Sequence, residues 1–444
     1  MLLKYVVSNY KSIGYPLEFS MFPVSENINE RFVTTIDTRA GKWKVLRRGG
    51  FFGPNASGKT SFIESVYFAK NFIVNGQKSG KGTGIDQFKG RILELEDKST
   101  FQFMFYLENE VYEYGFSIGT KQVYEEWLMI LREKDFQPLF VRQTSEEGKT
   151  QIEIASRFAR KGSRERNLAE VLKDSIGENQ KNQLFLYKLY DNGVKKVEAV
   201  IEWFKSLQII FPNTKVQGLP LRMDKDAEFR QFVSESLRKM DTGVIDIAVV
   251  SDEIDFHDFV EKLDIPNEIV SQIEEIKNGI VNIGGKYFIF GEGKKRKTVL
   301  VQIKFQHLLN GKMVSFNIED ESDGTQRLLD LLPILFALNE KSQAIYFVDE
   351  IDRSLHTKLS QYLLQEFLKG CKDTFSQIVY TAHDVNLIDL NEFGQDEIWF
   401  VEKDNQGASY LKPFSDFKIE KGQDALKAYL NGRFGAIPVI RRKV

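Results

Sequence analysis

Eight residues near the start of the chain have the types and spacing of a phosphate-binding loop. The segment Gly53-Pro54-Asn55-Ala56-Ser57-Gly58-Lys59-Thr60 reads G-x-x-x-x-G-K-T. Glycines let the backbone curl so that several N–H groups converge, and the start of a following helix adds a partial positive charge. Lys59 can reach the β- and γ-phosphates of a nucleotide, and Thr60 can offer its hydroxyl to Mg²⁺. This loop, with Ser61 after it, is predicted to hold ATP and magnesium.

The residues on both sides of the loop predict the strand and the helix that such a loop needs. Val45-Leu46 and Phe51-Phe52 precede it. Apolar residues follow at positions 62, 63, 66 and 67, which is helical spacing, and the predicted helix covers 60–76. A strand, a glycine turn and a helix form the structural context in which this motif binds phosphate.

A pair of carboxylates far downstream predicts the other half of the site. The apolar run 344–348 reads as a buried strand and ends at Asp349-Glu350. Asp349 is predicted to hold Mg²⁺ through water, and Glu350 to orient and deprotonate the attacking water. His383 follows the next predicted strand, 377–380, and is predicted to sense the γ-phosphate because such strand ends meet at the mouth of a doubly wound sheet.

A second phosphate-binding helix start is predicted at Ser322-Asp323-Gly324-Thr325, before the apolar run Leu328–Leu338. Ser322 is a capping residue, Gly324 permits close approach, and the first N–H groups of the helix form an anion site. One chain rarely needs two such sites at one phosphate. Two chains arranged head to tail would use both, so the sequence predicts an ATP sandwich. Pro333 is expected to kink the helix.

Composition indicates a soluble protein with a sizeable core. The chain has 444 residues, of which 42% are hydrophobic, and its net charge is -2, so no global basic bias indicates nucleic acid. Cys371 is the single cysteine, which excludes an internal disulfide and fits a reducing compartment. The first residues lack the pattern of a signal peptide, and the most apolar segment is too short to span a bilayer. We expect a cytoplasmic protein without membrane association.

The texture of the sequence changes along the chain. Strands are predicted at 3–10, 17–21, 100–106 and 111–118. From about 150 the pattern is helical, with apolar stripes at 185, 186, 189, 190 and at 200, 201, 204, 207. The acidic cluster 252–258 is read as a solvated loop rather than a metal site. Strands return from 287 and alternate with helices, which favours a mostly parallel sheet.

Together these motifs resemble the ABC-type ATPases of the SMC/RecF/OLD branch. They are most similar to the compact bacterial AAA-labelled ATPases of abortive-infection and anti-phage systems, the RloA/AbiL-like group that also resembles the AriA subunit of PARIS. The resemblance includes the start and the end of the chain, residues 2–12 and 429–438. It implies Walker A at 53–60, the ABC signature at 321–327, Walker B at 348–350, the D-loop at 351–356 and the switch-histidine segment at 381–387.

The resemblance implies an α/β fold, an ABC-type P-loop ATPase head with a mixed sheet and a β-rich N-terminal lobe, carrying a mostly helical insertion. The implied domains are an N-terminal lobe 1–145, a helical insertion or lid 146–279 and a C-terminal lobe 280–444.

The resemblance also implies roles for individual residues. Lys59, Glu350 and His383 are implied to be catalytic, and Asp352 to contact the nucleotide. Gln87 is the candidate Q-loop residue, which would contact both nucleotide and magnesium. The signature is S-D-G-T rather than L-S-G-G-Q, so only Ser322 and Gly324 carry over, as groups that close the site in trans.

The implied function is an ATP-hydrolysing switch of an anti-phage system that forms homodimers or higher assemblies and controls a separate effector protein. A RecF-like DNA-repair ATPase remains an alternative, for which Lys78, Lys81 and Lys89, or the basic run 294–297, would form a DNA-binding patch. A nuclease like the OLD proteins is disfavoured, because the ~60 residues after His383 must also complete the sheet.

Overall fold

The computed structural model of the chain describes residues 1–25, 28–78, 80–90, 97–254, 279–283, 286–290, 298–390 and 392–417. The strands are β1 (Leu2–Ser8), β2 (Leu17–Ser20), β3 (Val33–Thr38), β4 (Gly41–Leu46), β5 (Arg48–Phe52), β6 (Ser99–Leu107), β7 (Glu110–Ile118), β8 (Val123–Arg132), β9 (Asp135–Thr144), β10 (Thr150–Ile154), β11 (Leu207–Ile210), β12 (Val244–Ile254), β13 (Gly279–Ile283), β14 (Lys286–Phe290), β15 (Thr298–Leu309), β16 (Lys312–Phe316), β17 (Ile345–Val348), β18 (Gln377–Ala382), β19 (Ile398–Lys403) and β20 (Ser409–Pro413).

The α-helices within the described ranges are α1 (Lys59–Asn75), α2 (Arg164–Asn179), α3 (Phe185–Asp191), α4 (Glu198–Lys205), α5 (Leu219–Lys225), α6 (Ala227–Lys239), α7 (Asp323–Asn339) and α8 (Thr357–Gly370). None of these described helices is long and apolar enough to cross a membrane.

The chain forms two compact units. The first comprises Met1–Pro212, Lys341–Asp352 and Ser360–Val444, and the second comprises Asn213–Glu340 and Arg353–Leu359. These boundaries differ from the predicted domains 1–145, 146–279 and 280–444. One reason is that β11, which lies inside the predicted insertion, pairs with a sheet of the first unit.

The first sheet of unit one is antiparallel and has the order β10-β9-β8-β7-β6-β1-β2. Its strands show the alternation of a sheet with one covered face, as in β6, where the fully buried Phe101, Phe103 and Phe105 alternate with the half-buried residues at 100, 102 and 104. This sheet confirms the predicted β-rich N-terminal lobe.

The second sheet of unit one has the order β11-β17-β18-β5-β19-β20. The first five strands run parallel, and β20 is antiparallel to β19. Every residue of β5, β17 and β18 is buried, as expected for strands covered on both faces. The mixed sheet confirms the predicted α/β P-loop head.

Helix α1 packs between residues of the two sheets. Its Phe62 ring lies 4.6 Å from the Phe51 ring of β5 and 5.6 Å from the Tyr5 ring of β1. The Tyr5 hydroxyl donates to Ser65 Oγ at 2.9 Å. Since α1 begins at the phosphate-binding loop, these apolar contacts fix the position of the loop.

A buried carboxylate fixes the start of α3. Glu126 on β8 accepts hydrogen bonds from the backbone N–H groups of Phe185 (2.6 Å) and Leu186 (2.8 Å) and from the Tyr114 hydroxyl (3.0 Å). The Arg142 guanidinium lies 3.7 Å away, and both side chains of this ion pair are fully buried. Charge and hydrogen bonds together satisfy Glu126 inside the core.

The apolar stripe at 200, 201, 204 and 207 was interpreted as one helix, and that interpretation is wrong at its last residue. Helix α4 contains Val200, Ile201 and Phe204 but ends at Lys205, and Leu207 begins β11. Leu207 is buried in the strand, as it would also be on the apolar face of a helix. Parallel pairing with β17 therefore decides its backbone conformation, and a pattern of burial cannot show such pairing.

The acidic cluster 252–258 is predicted to be a loop, but its first residues belong to a strand. Asp252 and Glu253 are exposed residues of β12, paired with Leu300 and Val299 of β15. The rest of the cluster, residues 255–258, lies outside the described residues, as do the basic run 294–297 and the segment 429–438.

The second unit contains an antiparallel sheet with the order β12-β15-β14-β13, to which β16 adds beside β15. Helices α5, α6 and α7 belong to the same unit, and the Phe336 ring of α7 lies 5.0 Å from the Phe229 ring of α6. Helix α7 begins after Ser322 and includes Pro333 in its interior.

Candidate nucleotide site

The phosphate-binding loop needs glycine at two positions because neighbouring strands come very close. A Cβ atom on Gly53 would lie 2.3 Å from the carbonyl oxygen of Val401, and one on Gly58 would lie 2.1 Å from Ser409 Oγ. Gly58 also has φ +112°, a conformation that other residues rarely adopt. Strand β19 and the start of β20 therefore form one wall of the loop.

Lys59 is folded back over the loop. Its side chain is buried, and Nζ donates to the carbonyl oxygens of Gly53 (2.7 Å) and Pro54 (3.2 Å). Burial lowers the pKa of Lys59, while the nearby carboxylates of Asp349, Asp352 and Glu350 oppose this shift. The amine is thus a partly desolvated cation at the mouth of the loop, where phosphate oxygens would replace the two carbonyls.

The Thr60 hydroxyl and the Asp349 carboxylate face each other across the site. Thr60 Oγ1 lies 3.3 Å from Asp349 Oδ1, which also accepts a hydrogen bond from the Thr381 hydroxyl at 2.7 Å. Burial raises the pKa of Asp349, and the hydrogen bonds from Thr381 and Thr60 oppose the shift. The structure thus brings together two of the three predicted magnesium ligands, the Thr60 hydroxyl and the Asp349 carboxylate.

Glu350 and His383 meet at the ends of adjacent parallel strands. Glu350 Oε1 lies 3.3 Å from His383 Nε2, and His383 Nδ1 lies 3.5 Å from Lys59 Nζ. The backbone of Glu350 has φ +49°, which is uncommon for a residue other than glycine, and its N–H donates to Thr381 Oγ1 at 2.8 Å. The hydrogen bond holds the carboxylate at the mouth of the site despite this strain.

Asp352 positions the histidine segment. Its Oδ2 accepts hydrogen bonds from the backbone N–H groups of His383 (2.8 Å) and Asp384 (2.6 Å). The sequence predicts a nucleotide contact for Asp352, and the observed contacts add a second task that sequence reasoning missed.

A cleft of about 720 Å³ opens over the loop, lined by Ser12, residues 55–61, Glu350, His383 and Lys403. Ser12 and Lys403 were not predicted individually. Ser12 Oγ lies 2.9 Å from Ser409 Oγ, which donates to the carbonyl oxygen of Ser57 at 2.6 Å. Lys403 ends β19, a parallel neighbour of β5, so the rule that ligands bind at strand ends could have indicated it.

The candidate Q-loop residue has a different environment. The side-chain amide of Gln87 donates to the carbonyl oxygen of Asp97 at 2.8 Å, and the preceding Asp86 accepts a hydrogen bond from the backbone of Lys11. Its role toward nucleotide and magnesium remains a prediction.

Ser322 and Gly324 belong to the second unit. The Ser322 hydroxyl caps α7 by accepting a hydrogen bond from the Thr325 N–H at 3.2 Å, as predicted. A Cβ atom on Gly324 would lie 2.8 Å from the carbonyl oxygen of Ser354, which explains why this position needs glycine.

The donor set fits ATP and magnesium. The loop offers backbone N–H groups and the Lys59 cation, and the Ser57 hydroxyl is buried without a hydrogen-bond partner among the described residues. Magnesium is usually held by one or two protein ligands together with substrate phosphates. The described part of the chain has no group of three or more His, Cys, Asp or Glu side chains that could hold a metal alone.

Comparison with solved structures finds distant likenesses to heads of SMC proteins. The "SMC head domain from Thermotoga maritima" is 13% identical, with 94% of this chain and 99% of that chain covered and a TM-score of 0.37. The Smc head of Pyrococcus furiosus with an extended coiled coil, bound to the C-terminal domain of ScpA, is 13% identical, with 97% and 99% covered and a TM-score of 0.42.

A search of curated proteins found no significant relative. The family model described as "AAA domain, putative AbiEii toxin, Type IV TA system" matches residues 50–389, from the strand before the phosphate-binding loop to beyond His383. Because this match covers well over half of the chain, the protein belongs to this AAA-domain family.

Proposed function

We propose that this protein binds ATP with Mg²⁺ and hydrolyses the γ-phosphate. The observation that supports the proposal is the convergence of Lys59, Thr60, Asp349, Glu350 and His383 at one cleft, although three separate segments of the chain supply them.

Each side chain has a role that follows from its position. Lys59 neutralises phosphate charge, and Thr60 with Asp349 would hold Mg²⁺, which when bound withdraws charge from the phosphate oxygens. Glu350 Oε1 accepts the proton of the attacking water. His383, whose backbone N–H is held by Asp352, lies between Lys59 and Glu350, where a ring N–H can orient that carboxylate or turn to donate toward the γ-phosphate.

We further infer that two chains share each ATP and that nucleotide state switches their assembly. Ser322 and Gly324 of one chain would contact the phosphate held by the loop of the other, since the start of α7 presents N–H groups suited to an anion. The assembled state would control a separate effector in anti-phage defence. The family description names a putative toxin of a type IV toxin–antitoxin system, and this supports a role in anti-phage defence.

Glu350→Gln tests the catalytic assignment. The amide keeps the size of the side chain but cannot accept a proton, so ATP should stay bound while phosphate release falls by roughly 100-fold or more. Phosphate release and binding of a fluorescent ATP analogue should be measured together, with Lys59→Ala as the variant that loses binding.

A Glu350→Gln enzyme that hydrolyses ATP at the wild-type rate would contradict the role of Glu350. A wild-type protein that shows no nucleotide binding would contradict the proposed function itself. The trapped Glu350→Gln protein is also the best bait for an effector, because it should stay in the ATP-bound state.

A further inference from the structure

The second unit contains a cavity of about 240 Å³ that the nucleotide chemistry does not use. Its walls come from α7, β14, β15, the segment after β16 and the segment 215–220. Most of the wall is apolar, with Leu219, Ile303 and Leu329 among its residues, and each of these three is at most 4% exposed. Small-molecule sites in proteins combine such apolar walls with a few polar groups that fix orientation.

Among the charged residues that line this cavity, Asp330 is the buried one. The side chain is 5% exposed, and its oxygens lie 3.3 Å from Lys215 Nζ and 3.3 Å from the backbone nitrogen of Val216. Charge-assisted hydrogen bonds are usually 2.7–2.9 Å long, so both contacts are long for a buried carboxylate. Burial raises the pKa of Asp330, while Lys215, the Val216 N–H and the nearby Arg327 guanidinium oppose this shift, so burial outweighs the partners that the carboxylate has.

Lys215 is a partner that a ligand could replace. Its side chain is 58% exposed, so the ammonium group can return to water at little cost. Tyr287, which is 7% exposed, adds a second polar group, and its hydroxyl oxygen accepts the Gly218 N–H at 2.7 Å. The phenol proton can still donate to an acceptor in the cavity.

We propose that this cavity binds a small organic amine, a molecule with one apolar ring and a protonated nitrogen that pairs with Asp330. The volume is below the usual range of drug-sized pockets, which limits the ligand to about one ring with a short side chain. The charges of the wall favour a cation over a carboxylate or phosphate, because Asp330 and Glu319 line the cavity against one cation, Lys215.

The position of the cavity connects it to the proposed ATP switch. Leu329 and Asp330 lie on α7, about two turns after Ser322, so a ligand that packs against them stabilises one placement of the helix. This connection rests on the proposed function. The binding site itself does not, and it can be tested without nucleotide.

The test uses benzylamine, benzyl alcohol and benzoate as probes, which share one ring and differ in the charge of the substituent. Binding to the full chain without nucleotide is measured by saturation-transfer NMR and calorimetry. We expect benzylamine to bind saturably with a Kd on the order of 1 mM, at least 10-fold more tightly than benzoate. Asp330→Asn should remove the preference for benzylamine over benzyl alcohol, whereas Asp224→Asn, an equal charge change at an exposed position of α5, should keep it.

A second variant keeps the proposal testable if Asp330→Asn does not fold. Lys215→Met removes the internal competitor from an exposed position, so benzylamine should bind several-fold more tightly than to the wild type. Unsaturable binding of benzylamine, equal binding of benzoate, or unchanged affinity in Lys215→Met would each overturn the proposal. These results are independent of ATP hydrolysis, so failure of the site and failure of the proposed function can be told apart.

Discussion

At the scale of single residues, a comparison of two glycines shows that crowding at the wall of the site requires glycine at one of them. Space beside Gly58 is taken by Ser409 Oγ, whereas Gly84, which also has a positive φ (+75°), has open space at its Cβ position. Both positions have a positive φ, which is larger at Gly58 (+112°), but only Gly58 is crowded.

Gly58→Ala should weaken nucleotide binding by at least 10-fold, because the loop or β20 must move to admit the methyl group. Gly84→Ala should leave binding unchanged and cost only about 1 kcal/mol of stability from the left-handed backbone. Titration with a fluorescent ATP analogue and thermal denaturation of both variants measure the two effects. Equal losses of binding in the two variants would contradict the role of crowding at Gly58.

A variant of Asp352 can distinguish the positioning of His383 from the binding of ATP. Asp352→Ala removes the acceptor for two backbone N–H groups at the histidine segment, so His383 should lose its alignment with Glu350. We expect kcat to fall by roughly 10- to 100-fold, as for supporting residues of other sites, with little change in the affinity for ATP. A similar loss of both quantities would indicate a direct nucleotide contact, as the sequence predicts.

At the scale of elements, the buried Glu126–Arg142 pair connects two strands to the start of α3. Glu126→Ala should lower the free energy of unfolding by about 3–5 kcal/mol, because Arg142 would remain buried without its counter-ion. The double variant Glu126→Leu, Arg142→Met removes both charges and should recover part of the loss. Chemical denaturation of both variants tests this, and a double variant less stable than the single one would contradict it.

The sequence predicted elements well where a local pattern decides them. The strand before the loop, α1, the strand that ends at Asp349 and the capped start of α7 all follow from burial periodicity and capping residues. β11 was missed because it has four residues and owes its conformation to a partner strand more than a hundred residues away.

The residues of the site were likewise predictable where they stand in local motifs. Lys59, Thr60, Asp349, Glu350 and His383 stand in recognisable motifs, and the structure places them together. Ser12 and Lys403 come from opposite ends of the chain. Lys403 could have been inferred from its place at the end of a strand, but Ser12 reaches the cleft through sheet order, which no local pattern shows.

At the scale of the whole molecule, the proposed sharing of ATP between chains can be tested by mixing. Lys59→Ala and Ser322→Arg should each be inactive alone. In a mixed dimer, the intact loop of one chain meets the intact Ser322 helix of the other, so an equimolar mixture should regain about a quarter of wild-type phosphate release. Continued inactivity of the mixture, or normal activity of Ser322→Arg alone, would contradict sharing.

The two compact units are interleaved in the chain rather than consecutive. The polypeptide passes between them at 212–213, 340–341, 352–353 and 359–360. No truncation at a single position therefore yields either unit intact. Transfer of residues 213–340 to another protein would omit Arg353–Leu359, which belong to the same unit. Such an architecture resists exchange by recombination of contiguous gene segments, so we expect the two units to be inherited together.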